Sequence, residues 1–216
     1  MQSRKSIQNL RREYKLNKLS EDSVHKNPIK QFEKWFKDIL KLNLIGPNAM
    51  VLSTCDEKAN PSTRVVLLKE LSEKGFTFFT NYKSVKAKCL SKNSASSLLF
   101  FWPELERQVR IEGKIKKISK TESQKYFDTR PIESRLAAWA SEQSSVIPDR
   151  DYLEKRFQKF KEQFKGKKIP MPKDWGGFIL VPEYFEFWQG RENRLHDRIC
   201  YRKQKGSWKI FRLAPE

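Results

Sequence analysis

The stretch Trp188-Gln189-Gly190-Arg191-Glu192-Asn193-Arg194-Leu195-His196-Asp197-Arg198 decides how the chain is read. With Phe187 in front of it, a dozen residues hold two aromatics, three arginines and one of the two histidines. Gly190 and Asn193 suit a tight turn. Tyr184 to Trp188 reads as an aromatic-rich strand, and Leu195 to Tyr201 reads as a second one. Side chains in a strand repeat every two residues, which predicts Arg194, His196 and Arg198 on one face. Two readings of that face stand. One is a solvated strand with interleaved charges. The other is a site for a phosphorylated, planar ligand, because arginine forks match phosphate oxygens and histidine moves a proton near neutral pH.

Working outward, strands dominate the pattern. Asn48 to Cys55, Ser62 to Lys69, Gly75 to Thr80, Ala95 to Trp102, Arg107 to Ile118 and Ser207 to Leu213 all read as strands, the first two joined by turn chemistry over Asp56 to Pro61. Arg64 and Lys69 stand five residues apart, so a flat strand points them to opposite faces. Both reach one ligand only if Lys69 lies at a bend or a strand end. Helices are predicted from Asn27-Pro28 to about Asn43, from Val85 to Leu90 behind the N-cap Ser84, from Ser119 to Thr129 behind a capping box with Glu122, and from Asp149 to Phe164. A short helix over Ile7 to Leu16 is also expected, with His25 an exposed histidine. A helix start flanked by Lys83 and Lys86 suits a phosphate, because its first amides are free and its dipole favours anions. Tyr126, Arg130 and Ser134 follow at i, i+4 and i+8, and Pro131 must bend or end their helix. The result is a mainly β chain with peripheral helices and a barrel-like core.

The 216 residues suit one domain, and a formal charge of +19 favours anionic partners. That charge is scattered, and its densest run, Lys165 to Lys173, contains a glycine and two prolines and reads as a solvated loop. Nucleic acid therefore ranks behind phosphorylated small molecules as a partner. Cys55, Cys89 and Cys200 lie far apart, odd in number, as free thiols of a reducing compartment. No metal-ligand spacing, signal-peptide core, membrane-length apolar run, Walker loop or Rossmann glycine pattern occurs, and the expected location is the cytoplasm.

Trp-Gln-Gly followed by Arg-Leu-His-Asp-Arg resembles the C-terminal signature of the pyridoxamine/pyridoxine 5'-phosphate oxidases, which are FMN-dependent. Further segments carry the resemblance in order: Arg11-Arg12-Glu13-Tyr14, Arg64-Val65-Val66-Leu67-Leu68-Lys69, Leu105-Glu106-Arg107-Gln108-Val109, Tyr126 through Arg130-Pro131 to Ser134, the Gln143-Ser144 pair, and the closing Arg-Leu-Ala-Pro. It implies an FMN-binding split β-barrel, homodimeric, with FMN at the interface. Residues 1–27 are then a flexible segment able to fold over substrate, with Arg11 and Tyr14 as lid contacts, and 28–216 form a single domain. By the same resemblance Lys69, Tyr126, Arg130 and Ser134 hold the substrate phosphate, while Arg194, Leu195 and His196 sit at the substrate ring, with Arg194 and His196 catalytic. FMN falls to Arg64, Val65, Val66, Leu67, Leu68, Lys69, Phe79, Thr80, Lys86, Gln108, Gln143, Ser144, Trp188 and Arg198, with the Gln143-Ser144 pair coming from the second subunit and Arg198 stabilising the anionic reduced ring.

The implied reaction is oxidation of pyridoxine or pyridoxamine 5'-phosphate to pyridoxal 5'-phosphate, with a hydride passing from substrate C4' to the flavin and O2 reduced to hydrogen peroxide. Two departures stand out. Val85 replaces an arginine that usually clamps the FMN phosphate, with Lys83 or Lys88 as substitutes, and Gly46 replaces an acid often seen before Pro47-Asn48-Ala49-Met50. They leave room for a split-barrel flavoprotein of other specificity. A basic nucleic-acid-binding module and a partial carrier that retains its pyridoxal phosphate product are the remaining alternatives.

Overall fold

The computed structural model describes residues 7–10 and 13–215. Helices are α1 (Pro28–Leu40), α2 (Val85–Lys92), α3 (Lys120–Thr129), α4 (Ile132–Ala140) and α5 (Arg150–Gln163). Strands are β1 (Ala49–Cys55), β2 (Pro61–Leu67), β3 (Glu70–Ser72), β4 (Gly75–Asn81), β5 (Ala95–Trp102), β6 (Arg107–Lys117), β7 (Trp175–Gln189), β8 (Asp197–Gln204) and β9 (Ser207–Leu213). Strand pairing follows the order β2-β1-β5-β6-β7-β4-β3, with β8 on β7 and β9 on β8. The chain divides into two compact units, one of Asn48–Leu98 and Glu112–Pro182, the other of Met1–Pro47, Leu99–Ile111 and Glu183–Glu216.

In the first unit, β1 and β2 form an antiparallel hairpin in the register Leu52↔Arg64. Its turn is set by Asp56, whose Oδ1 accepts from the amides of Lys58 at 2.8 Å and Asn60 at 2.9 Å, the local bonding that aspartate offers at turns. The Leu68 amide still bonds in the β1 register, to Asn48 O, and β2 ends there because the Lys69 amide switches to Thr77 O on β4. Lys69 therefore leaves the strand where β2 ends, as needed for it to share a ligand with Arg64. β4 pairs with β7 through Phe78↔Phe178. Gly75, at φ 142, admits no Cβ because Leu180 O of the facing strand occupies that space. α3 starts at Ser119, whose Oγ accepts from the Glu122 amide at 3.1 Å while Glu122 Oε2 accepts from the Ser119 amide at 2.9 Å. It ends at Thr129, and Pro131 stands as N-cap of α4.

The second unit is built on aromatics. α1 is capped by Asn27 and lays Phe32 and Trp35 inward, Phe32 against Phe100 at 4.8 Å and Trp35 against Phe187 at 5.2 Å. Such edge-to-face pairs add stability beyond their buried area. β7 and β8 pair antiparallel from Tyr184↔Arg202 to Gln189↔Asp197.

Two expectations need correction. The strand after the turn starts at Asp197, not Leu195, because Glu192–Arg194 form a 3-10 turn in which Asn193 and Arg194 take φ 56 and 60. Arg194 thus lies off the strand alternation. The helix expected over Ile7 to Leu16 does not reach its C-terminal part. Ile7 and Gln8 are helical and 11–12 lie outside the described residues, but 13–19 is irregular, because the Lys15, Leu16 and Leu19 amides donate to the distant carboxylates of Glu106 and Asp197.

Candidate functional site

The first unit holds a cavity of about 440 Å³, the scale of a small-molecule site. β2 and its end supply Arg64, Val65, Val66, Leu67 and Lys69, β4 supplies Phe79 and Thr80, and α2 supplies Lys86. Tyr126 comes from α3, Arg130 from its C-cap, Gln143 from the segment after α4, and Trp175 from the start of β7. Among the described residues, four cations line this space and no acid does.

Arg64 and Lys86 are held in place by neutral groups. Arg64 Nη1 donates to Thr54 Oγ1 at 2.8 Å and to Leu52 O at 3.1 Å across the hairpin. Lys86 Nζ lies 3.2 Å from Thr80 Oγ1 and 3.4 Å from Gln143 Oε1, which also accepts from Thr80 Oγ1 at 2.8 Å. Burial lowers the pKa of Arg64, Lys86 and Arg130, and for Lys86 the charge of Arg64 lowers it further. Arg130 Nη1 is buried without a hydrogen-bond partner among the described residues. A guanidinium nitrogen in that state is costly unless an anion meets it. Beside it the rings of Tyr126, Phe79 and Trp175 lie nearly parallel, Phe79 stacking 3.9 Å from Tyr126 and 5.3 Å from Trp175, and the Arg130 guanidinium stands 4.8 Å over Trp175.

A second cluster belongs to the other unit. Tyr14 packs edge-on to Trp188 at 5.6 Å and to His196 at 5.5 Å, and the Trp188 and His196 rings lie 4.6 Å apart. The Arg191 amide donates to His196 Nδ1 at 3.1 Å, which leaves the proton of the neutral ring on Nε2. Burial, and then the charge of Arg194, lowers the His196 pKa, against a smaller opposite pull from Asp197. Arg194 and Leu195 are exposed on the turn. Arg198 is buried, with Nε 3.0 Å from Glu186 Oε1, Nη2 3.1 Å from Oε2, and Nη1 donating to Ala214 O at 2.9 Å. Its charge is met by Glu186, which Arg110 also reaches at 2.7 Å.

Other expected residues fall outside the cavity lining. Leu68 is buried, Ser134 is half-buried on α4, Gln108 is half-buried on β6, and Ser144 is exposed at φ 72. Arg11 lies outside the described residues. Gln143 bonds within its own chain to Thr80, where the resemblance implied a contribution from the second subunit. Of the substitutes for the arginine missing at Val85, Lys83 pairs with Asp174 at 2.8 Å and Lys88 is exposed; neither lines the cavity, whereas Lys86 does. Sequence reading missed Trp175, which its pairing with Asn81 and its stack on Phe79 bring to the cavity, and Glu106 and Asp197, which bond the N-terminal segment. No group of described residues is arranged to hold a metal ion.

Known proteins are similar along most of the length. Residues 36–164 match the family model described as pyridoxamine 5'-phosphate oxidase, and 175–215 match the pyridoxine 5'-phosphate oxidase C-terminal dimerisation region. The chain is 51% identical over 212 residues to the pyridoxine/pyridoxamine 5'-phosphate oxidase of Nostoc punctiforme, covering 98% of this chain and 99% of that one. It is 52% identical over 207 residues to that of Rippkaea orientalis, covering 95% and 98%. Among solved structures, PhzG from Burkholderia lata in complex with tetrahydrophenazine-1-carboxylic acid aligns with a TM-score of 0.87 at 26% identity, covering 93% of this chain and 99% of that one. A pyridoxamine 5'-phosphate oxidase-related, FMN-binding protein of Nostoc punctiforme aligns at 0.68 and 15% identity, covering 92% and 100%, and shares the fold.

Proposed function

The chain belongs to the pyridoxamine 5'-phosphate oxidase family, and on that premise we propose that it oxidises pyridoxine or pyridoxamine 5'-phosphate to pyridoxal 5'-phosphate with FMN as cofactor and O2 as final oxidant. The observation that carries the reading is the acid-free cavity of four cations, with a buried, unpartnered Arg130 nitrogen beside three stacked rings. Phosphate oxygens complement that donor set and planar rings complement the stack. When bound, FMN supplies a hydride acceptor for substrate C4' that O2 regenerates with release of hydrogen peroxide.

The chain's own groups bind and orient. Arg64, Lys86, Thr80 and Gln143 hold the cofactor, with Gln108, Ser144, Trp188 and Arg198 as further contacts. Lys86 is the cation that remains at the head of α2, one charge fewer there than the resemblance implies. Lys69, Tyr126, Arg130 and Ser134 hold the substrate phosphate, and Arg194 and His196 orient the substrate ring. His196, neutral with its proton on Nε2, donates there to a substrate oxygen or nitrogen, so that binding fixes the reacting carbon. The assembly is a homodimer with FMN at the interface, in keeping with the dimerisation-region match over 175–215.

The test is the visible spectrum of the purified protein, followed by peroxide release on addition of each vitamer. A flavin spectrum and peroxide from the phosphorylated vitamers are expected. A colourless protein that takes up no FMN ends the proposal. The PhzG likeness supports a second reading, a tricyclic acid as substrate. Peroxide from a tetrahydrophenazine carboxylic acid, with none from either vitamer, would establish it.

A further inference from the structure

Glu106 is an odd residue for its place. It follows the 3-10 turn Pro103–Leu105 at φ 54 and ψ 40, a left-handed conformation that glycine or asparagine adopts with less strain. It is also 3% exposed, although a carboxylate is costly to bury. Both features are accounted for by what the residue holds. Its Oε2 accepts from the amides of Lys15 at 2.8 Å and Leu16 at 2.9 Å. Its backbone carbonyl accepts from the Gly190 amide at 2.8 Å and from Gln189 Nε2 at 3.1 Å. One residue thus grips the N-terminal segment with its side chain and the end of β7 with its backbone.

Between those two grips lies Tyr14. A Cβ on Gly190 would stand 2.7 Å from the Tyr14 ring, so the ring rests directly on the glycine backbone, edge-on to Trp188 and His196. Further along, Leu19 donates to Asp197 Oδ2 at 3.0 Å and accepts from Arg212 Nη2 at 3.0 Å, and the Tyr201 hydroxyl donates to His25 O at 2.8 Å. We infer that Glu106 is a positioning residue: it latches the segment 13–19 and so holds Tyr14 against Trp188 and His196. Its consequence for substrate rests on the function proposed above. A preformed wall beside His196 spares the vitamer the cost of ordering that segment, so the latch acts on substrate capture more than on turnover.

The experiment uses the full chain, with and without FMN, as wild type, Glu106→Ala, Glu106→Gly and Glu106→Gln. Alanine removes the carboxylate at a similar backbone preference. Glycine removes it while relieving the positive φ, so it carries the test if the alanine variant does not fold. Glutamine retains an oxygen able to accept from both amides. Amide exchange of 13–19 is expected to quicken at least about tenfold in the alanine and glycine variants and to return close to wild type in the glutamine variant. The KM for the phosphorylated vitamer should rise about tenfold in the first two, with kcat moving less. Unchanged exchange over 13–19 in both carboxylate-free variants overturns the latch. If exchange quickens but wild-type protein leaves both vitamers unoxidised, the latch stands and the proposed reaction falls.

Discussion

At the scale of the residue, the second cluster is arranged differently from what strand alternation suggests. Arg198 is committed to Glu186 and to Ala214 O, whereas Arg194 stands exposed on the turn and His196 offers Nε2. Removing Arg194 or His196 should therefore lower kcat/KM by about a hundredfold, the ordinary weight of a positioned proton donor, and leave FMN retention on gel filtration close to wild type. Equal loss of both would sink this division of roles. The His196 ring should titrate below 6.5, because burial and Arg194 disfavour its cation. Proton NMR of the ring should therefore show a neutral His196 at pH 7, with charge gained only as the pH falls below that value.

At the scale of the element, the cavity depends on where helices and strands stop. β2 ends at Leu67, which frees Lys69 to line the same space as Arg64. α3 ends at Thr129, which brings Tyr126 and Arg130 to the wall but leaves Ser134 on α4, outside the lining. The capping box at Ser119 anchors the other end of α3. Ser119→Ala should cost about 1 kcal/mol, the usual value of an N-cap side chain. Urea unfolding should show this as a lower midpoint at unchanged slope. Most of these ends were legible in sequence. The Ala95 to Trp102 and Ser207 to Leu213 strands agree residue for residue, because apolar periodicity and turn residues bracket them locally. The strand assigned from Leu195 failed because Asn193 and Arg194 take positive φ, a conformation that no periodicity reports.

At the scale of the whole molecule, charge is locally imbalanced even where it is paired. Burial raises the pKa of Asp197, Glu186 and Asp38, yet their bonded partners lower it further: the Leu19 amide, Arg212 and Arg191 for Asp197, Arg198 and Arg110 for Glu186, and Arg107 and Lys41 for Asp38. A carboxylate with a depressed folded pKa adds stability that is fully present above its ordinary value and is lost as pH falls through the folded one. The melting temperature should therefore hold at neutral pH and fall on acidification below the ordinary values of 3.8 and 4.5. A flat profile through that range would show these pairs to be inert.

What the sequence determined by itself is the set of local instructions: most strand and helix positions, though neither α4 nor the start of β7 at Trp175, the caps, the excess of cations, and the motif that names the family. Each depends on neighbours within a few residues, where periodicity and turn chemistry act. Only the tertiary structure decided which cations share an acid-free cavity, that Trp175 completes the stack on Phe79 and Tyr126, that Arg198 is bound to Glu186, and that Glu106 grips amides 91 and 90 residues away. Those contacts join distant parts of the chain, and their partners are selected by burial and hydrogen-bond satisfaction in three dimensions.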